Sequence, residues 1–285
     1  MKPIDGPIAV VAPCGAYDPD QLERGVQAAR AAGFDVQLLP DLLQPERYLA
    51  APDAVRLAHL QTALSDPQWS AVWVARGGYG MTRLLDRVDW DAVQAKPVLG
   101  FSDVTALHNV LLKWGLGPAI HAPVLHSIPV TDDGSLTHLW QLLRGQATAP
   151  LRGESWTPGT VEAPVVGGNL CLLAATCGTS AQLDTRGAIL LLEDVGEPAY
   201  RIDRMLQQIA NAGLLQGLAG VAIGEFKDCR VPDGAAWTME DVLRSHLEPL
   251  GVPVVAKLPV GHGARNWAIP LGIPARLGDD TLALL

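Results

Sequence analysis

A serine stands at a sharp chain reversal in Lys96-Pro97-Val98-Leu99-Gly100-Phe101-Ser102-Asp103-Val104-Thr105-Ala106-Leu107. The apolar run before it reads as a short buried strand. Asp103 and Thr105 after it are polar residues of the kind that open a helix, where the first backbone N–H groups lack partners. A serine in that position presents its Oγ at the edge of a sheet, beside donors able to hold an oxyanion. The spacing is not G-x-S-x-G, since Asp103-Val104 follows the serine, and a plain helix-capping serine fits the same residues. Glu193 directly follows the apolar run Ala188–Leu192. A carboxylate so placed is either a strand end reaching water or a buried acid that orients a histidine. His262 lies in Val260-Gly261-His262-Gly263-Ala264-Arg265-Asn266, where flanking glycines permit a tight loop. His59, His138 and His246 fall in helical stretches and read as surface or boundary residues, His108 reads as packing, and His121 and His126 stay open as alternative bases. The loop Arg76-Gly77-Gly78-Tyr79-Gly80 lacks the lysine of a phosphate loop. It fits either an oxyanion loop or an ordinary strand-to-helix turn.

The elements that must position these residues follow from periodicity. Strands are expected at Ile8–Ala12, Phe34–Leu39, Ser70–Ala75, Pro97–Phe101 and Pro118–His121. Between them Asp18-Pro19-Asp20-Gln21 opens a helix with an N-cap, a first-position proline and a capping-box glutamine, and 53–65 forms another helix with Leu57, Leu60 and Leu64 on one face. This alternation predicts a parallel sheet with helices on both faces. A helix is expected at Leu136–Leu143, and the Gly/Pro/Thr/Ala-rich stretch 145–163 reads as the crossing between domains. That gives domains at 1–144 and 164–285. The second holds helices at Asn169–Cys177, Ala199–Ala212 and Met239–Leu250, strands at Ala188–Leu192, Leu218–Ile223 and Val252–Leu258, and two short strands around a Gly278-Asp279-Asp280 turn.

At 285 residues, two domains are the expectation. The chain is 48% hydrophobic, 18% charged and carries a net charge of −9 without a basic stripe, which argues against nucleic acid and anionic membranes as partners. No membrane-spanning run or secretory leader is read, and Cys14, Cys171, Cys177 and Cys229 lack metal-site or C-x-x-C spacing. A cytoplasmic protein with no metal and no cofactor is expected.

Five stretches, in order, resemble the LD-carboxypeptidase family of murein-recycling serine peptidases: Arg76–Gly80, Gly100–Leu107, Leu191–Pro198, Tyr200–Leu206 and Leu258–Gly263. The resemblance spans nearly the whole chain. It implies an α/β protein with a flavodoxin-like N-terminal domain and a smaller, β-rich C-terminal domain. It places the family's catalytic serine on Ser102, its glutamate on Glu193 and its histidine on His262, with Glu197 a lesser alternative for the acid. In that mechanism the N–H groups of Gly78 and Asp103 hold the oxyanion, and Arg76, Arg201 or Arg265 binds the substrate carboxylate. The implied reaction removes the terminal D-alanine from a murein tetrapeptide. Two alternatives are a microcin-immunity-type peptidase cleaving an amide to a nucleotide, and a non-catalytic muropeptide-binding protein. The resemblance also suggests a homodimer. On this reading the site spans both domains, with His262 near Ser102 and Glu193 on the other ring nitrogen.

Overall fold

The computed structural model describes residues 1–285. The chain opens with β1 (Ile8–Val11), α1 (Pro19–Ala31), β2 (Val36–Leu38), α2 (Asp53–Ser65), β3 (Ala71–Val74), β4 (Val98–Gly100), α3 (Thr105–Trp114), β5 (Ala119–His121) and α4 (Asp133–Leu143). These strands read as unbroken apolar runs because the sheet is covered on both sides. Successive residues of β1 show it: Ile8 and Val10 pack with Trp73, Leu22 of α1 and Leu139 of α4, whereas Ala9 and Val11 pack with Val72, Leu60 of α2 and Leu107 of α3. Strands β2, β1, β3, β4 and β5 stand in that spatial order and pair in parallel. This is the flavodoxin-like order, whose carboxyl edge forms a crevice where the winding reverses, between β1 and β3.

The second half contributes β6 (Leu151–Arg152), β7 (Glu154–Thr157), β8 (Val161–Asn169), α5 (Leu170–Ala175), β9 (Ile189–Val195), α6 (Ala199–Asn211), β10 (Gly220–Lys227), α7 (Met239–Leu247), β11 (Val254–Ala256), β12 (Ile269–Leu271), β13 (Pro274–Gly278) and β14 (Thr281–Leu284). All but β12 form an eight-stranded sheet in the order β6-β14-β13-β8-β9-β10-β11-β7. Its centre, β8 to β11, is parallel, and its flanks are antiparallel. Helix α6 buries Ile202, Met205, Leu206 and Ile209 against this sheet, as its 3.6-residue spacing requires.

The structure departs from the sequence reading in several places. Residues 145–163, read as a crossing, hold β6, β7 and the start of β8; these edge pieces are short and partly exposed, so they carry no apolar period. Strand β12 was not anticipated. It leaves the second half to pair antiparallel with β5, so it completes the first sheet as its sixth strand. Strand β9 runs on through Glu193 and Asp194 rather than stopping at Leu192. His138 is buried rather than at a boundary, its Nε2 donating to the Ala268 carbonyl at 2.9 Å. Asp18 caps α1 as expected, accepting from the N–H groups of Asp20 and Gln21, but the Gln21 side chain donates to the His126 carbonyl instead of closing the capping box.

One close approach fixes α1 on the sheet. A methyl group at Gly25 would overlap the Leu125 carbonyl, so only glycine lets the helix settle there. Gly25→Ala is expected to destabilise the fold by about 1–3 kcal/mol, the usual penalty of overpacking. Urea unfolding measures it, and an unchanged midpoint would show that α1 shifts freely.

Candidate active site

The site assembles at the carboxyl edge of the first sheet. Strand β4 ends at Gly100, Phe101 is extended, and Ser102 then adopts φ +64° before a 3-10 turn leads into α3. A non-glycine residue there is sterically strained, as at the nucleophile turn of hydrolases. The loop after β3, Arg76–Gly80, lies against this turn. A Cβ at Gly77 would stand 2.9 Å from Ser102 Cβ and 3.2 Å from its Oγ, so the loop backbone touches the serine directly. Gly78 follows with φ +103°, and its N–H meets no backbone carbonyl.

Three buried groups clamp this loop. The Asp103 carboxylate accepts the Met81 N–H at 2.8 Å and lies close to the buried Cys14 thiol. Burial pushes the Asp103 carboxyl above its ordinary range, against the Met81 N–H, Cys14 and Arg56, which all favour its charged form. Arg56, fully buried in α2, donates to the carbonyls of Ala51 at 2.9 Å, Gly80 at 3.2 Å and Pro13. The Gly15 N–H donates to the Gly77 carbonyl at 2.9 Å. Hydrogen bonds thus join Asp103, the glycine loop and the turn after β1 into one unit, against which Ser102 packs.

Glu193 reaches the site from β9 and is wholly buried. His262 donates its Nδ1–H to Glu193 Oε2 at 2.7 Å. The histidine loop is strung between β11 of one sheet and β12 of the other. It is also tied to the start of α4: Asp132 N–H donates to the Ala264 carbonyl at 2.9 Å, and Asn266 N–H to Ser135 Oγ at 3.0 Å. The imidazole then packs on Phe101, ring centres 4.7 Å apart, beside Ser102. No hydrogen bond links His262 directly to Ser102, a contact that often tightens only with substrate in place. Burial lowers the imidazole's proton affinity, but the charge and hydrogen bond of Glu193, helped by Asp194 and Glu225, outweigh it and raise the His262 pKa. Burial also lifts Asp194 to about 6, against hydrogen bonds from Val195, Cys171 and Asn169. A serine, a glutamate-paired histidine and a free backbone N–H together suit acyl transfer.

The other sequence candidates form no hydrogen bond to Ser102, Glu193 or His262. Glu197 pairs with Arg201 at 3.1 Å, not with a histidine. Arg76 donates to the Ala16 carbonyl at the mouth of the glycine loop, and Arg265 is exposed just past His262. His121 is buried in β5 with neither nitrogen bonded, and His126 is half-buried. The clamp of Asp103, Cys14 and Arg56 was not read from sequence. An aspartate at a helix start looks like a cap, and an arginine in mid-helix looks like a solvated face.

Comparison with known proteins agrees along the chain. Residues 8–122 match the model of the LD-carboxypeptidase N-terminal domain, and residues 162–277 that of the LD-carboxypeptidase C-terminal domain. A Synechocystis protein provisionally named a carboxypeptidase is 41% identical over 98% of this chain and 94% of its own. The murein tetrapeptide carboxypeptidase of Pseudomonas aeruginosa is 36% identical over 99% of this chain and 96% of its own. The crystal structure of muramoyltetrapeptide carboxypeptidase from Oxalobacter formigenes superposes with a TM-score of 0.86 at 29% identity, covering 98% of this chain and 97% of that one. MccF bound to glutamyl sulfamoyl guanosine shares the fold, with a TM-score of 0.86 at 18% identity over 100% of this chain and 97% of its own.

Gly77 is buried against Ser102, and Gly77→Ala puts a methyl group 2.9 Å from the Ser102 Cβ. It is expected to lower kcat at least about 10²-fold, the scale of losing one oxyanion donor, in a variant that still melts cooperatively. Steady-state kinetics beside a thermal melt decide it; full activity would place the glycine loop outside the chemistry.

Proposed function

The chain belongs to the LD-carboxypeptidase family, and from that premise we propose that it is a serine hydrolase removing the terminal D-alanine from cytoplasmic murein tetrapeptides. The observation that carries this reading is the Glu193–His262 pair packed on Phe101, the residue before the strained Ser102. Ser102 Oγ attacks the carbonyl of the bond between the L-centre and D-alanine as His262 Nε2 takes its proton. Glu193 fixes the tautomer through Nδ1–H and stabilises the imidazolium. The N–H groups of Gly78 and Asp103 hold the tetrahedral oxyanion. Collapse breaks the C–N bond, with His262 returning the proton to the departing amine. Water then hydrolyses the acyl-serine by the same base. A D-alanine leaving group carries a carboxylate, for which arginine is the natural fork. Arg265, exposed beside the histidine loop, is the candidate best placed, and Arg76 stands at the glycine-loop mouth.

Incubation with murein tetrapeptide and mass detection of released alanine tests the reading. Ser102→Ala is expected to abolish release while leaving the melt nearly unchanged, because a half-buried hydroxyl adds little to packing; near-native release from the folded variant would remove Ser102 from the mechanism. The pH profile supplies a second check. The base works only when neutral, so kcat/KM falls on acidification through the His262 pKa, and that limb lies above the ordinary histidine value of about 6.5. Glu193→Gln moves the limb down. The same raised pKa means the imidazolium's contribution to stability is present below about pH 6.5 and is lost as pH rises through the folded value.

A further inference from the structure

We infer that His121 is a positioning residue for the acid of this site: as a neutral imidazole it donates its Nε2–H, directly or through one water, to Glu193 Oε1. The inference rests on the reading of Glu193 above. Glu193 has no exposed surface, and His262 engages only its Oε2; Oε1 is buried without a partner. A carboxylate accepts several hydrogen bonds, and a bare buried oxygen is costly. His121 presents the complementary lack. It is fully buried, and both ring nitrogens are unbonded, whereas the buried His108 and His138 each bond a backbone carbonyl through Nε2.

The topology brings the two together. The Phe101 ring packs with both imidazoles, its centre 4.7 Å from that of His262 and 5.7 Å from that of His121. Gly168 of β8 precedes Asn169, which lies in register with Glu193 of β9. A Cβ on Gly168 would come within 3.3 Å of His121 Nδ1 and 2.8 Å of Thr105 Oγ1, so the β8–β9 ladder rests on this imidazole. Thr105 Oγ1 beside the ring accepts the Asn169 N–H at 3.1 Å, and the inferred role takes the His121 tautomer that carries its proton on Nε2. Burial drops the His121 pKa to about 4, so the ring is a neutral donor under working conditions. Its titratable neighbours are Glu193, His262 and His108, while Asp194 and Glu225 act on His262. A second donor spreads the Glu193 charge, keeps its carboxylate in one rotamer, and tempers its pull on the His262 proton.

His121→Phe keeps the aromatic stack and removes the donor; His121→Gln keeps a donor. The Phe variant should lose about tenfold to a hundredfold in kcat on murein tetrapeptide with KM little changed, the range seen when a partner of a metal ligand is removed. Its His262 pKa should rise, because the less satisfied carboxylate holds the imidazolium more tightly, and the Gln variant should recover most of both. NMR titration of His262 needs no substrate, so this readout survives even if the murein reading fails. Should phenylalanine prevent folding, His121→Leu is read the same way. A His262 pKa and rate unchanged in the Phe or Leu variant would overturn the inference, as would a folded Gln variant as impaired as they are.

Discussion

A carboxylate with no exposed surface must be paired, and at Glu193 the partner is His262. Much of the molecule serves that pairing. The acid stands on the central strand β9 with no surface exposed. The histidine loop must therefore come to the acid, and the chain achieves this by leaving the second sheet at β11 and lending β12 to the first sheet. Gly224 and Gly261 line the acid because a Cβ at either would press on its side chain, at 3.2 Å from Glu193 Cβ and 3.2 Å from Oε2 respectively. The same strand exchange lays the imidazole on Phe101. Ser102 and the loop bearing His262 thus come from distant parts of the chain yet meet at Phe101.

The serine side is held by a different balance. Positive φ at Ser102 is unfavourable in isolation and persists only where the surroundings over-determine it. Here the Gly77 backbone, the Asp103 carboxylate on the Met81 N–H, and Arg56 bridging three carbonyls provide that constraint. Arg56 is buried as a charge, but its donors meet carbonyls and Asp53, so the burial is compensated. On the reading proposed, the arrangement holds the oxyanion donors before substrate arrives, so the reaction need not reorganise them.

The sequence made the layered α/β plan legible because β1, β3, β4 and β5 are apolar runs bounded by turn residues, and α1 and α6 carry clean helical stripes. It also singled out Glu193 and His262, and the family resemblance put the acid on the imidazole's second nitrogen, where the 2.7 Å contact to Nδ1 lies. The edge strands β6 and β7 and the three-residue β12 were illegible, since pieces so short have no period to read. The clamp on the glycine loop was hidden for a related reason. Asp103 and Arg56 are polar types that local rules assign to caps and solvated faces, and only tertiary packing makes them interior. His138 escaped similarly, its burial decided by the Ala268 carbonyl from the far end of the chain.

The central claim is that Ser102 is made nucleophilic by a histidine on the loop that joins the two sheets. Reaction with a fluorophosphonate, followed by peptide mapping and by its rate against pH, tests it most directly. The account predicts one adduct per chain, on Ser102, forming more slowly as pH falls through the His262 pKa and nearly lost in His262→Asn. An adduct on another residue, or a Ser102 rate indifferent to His262, would contradict it.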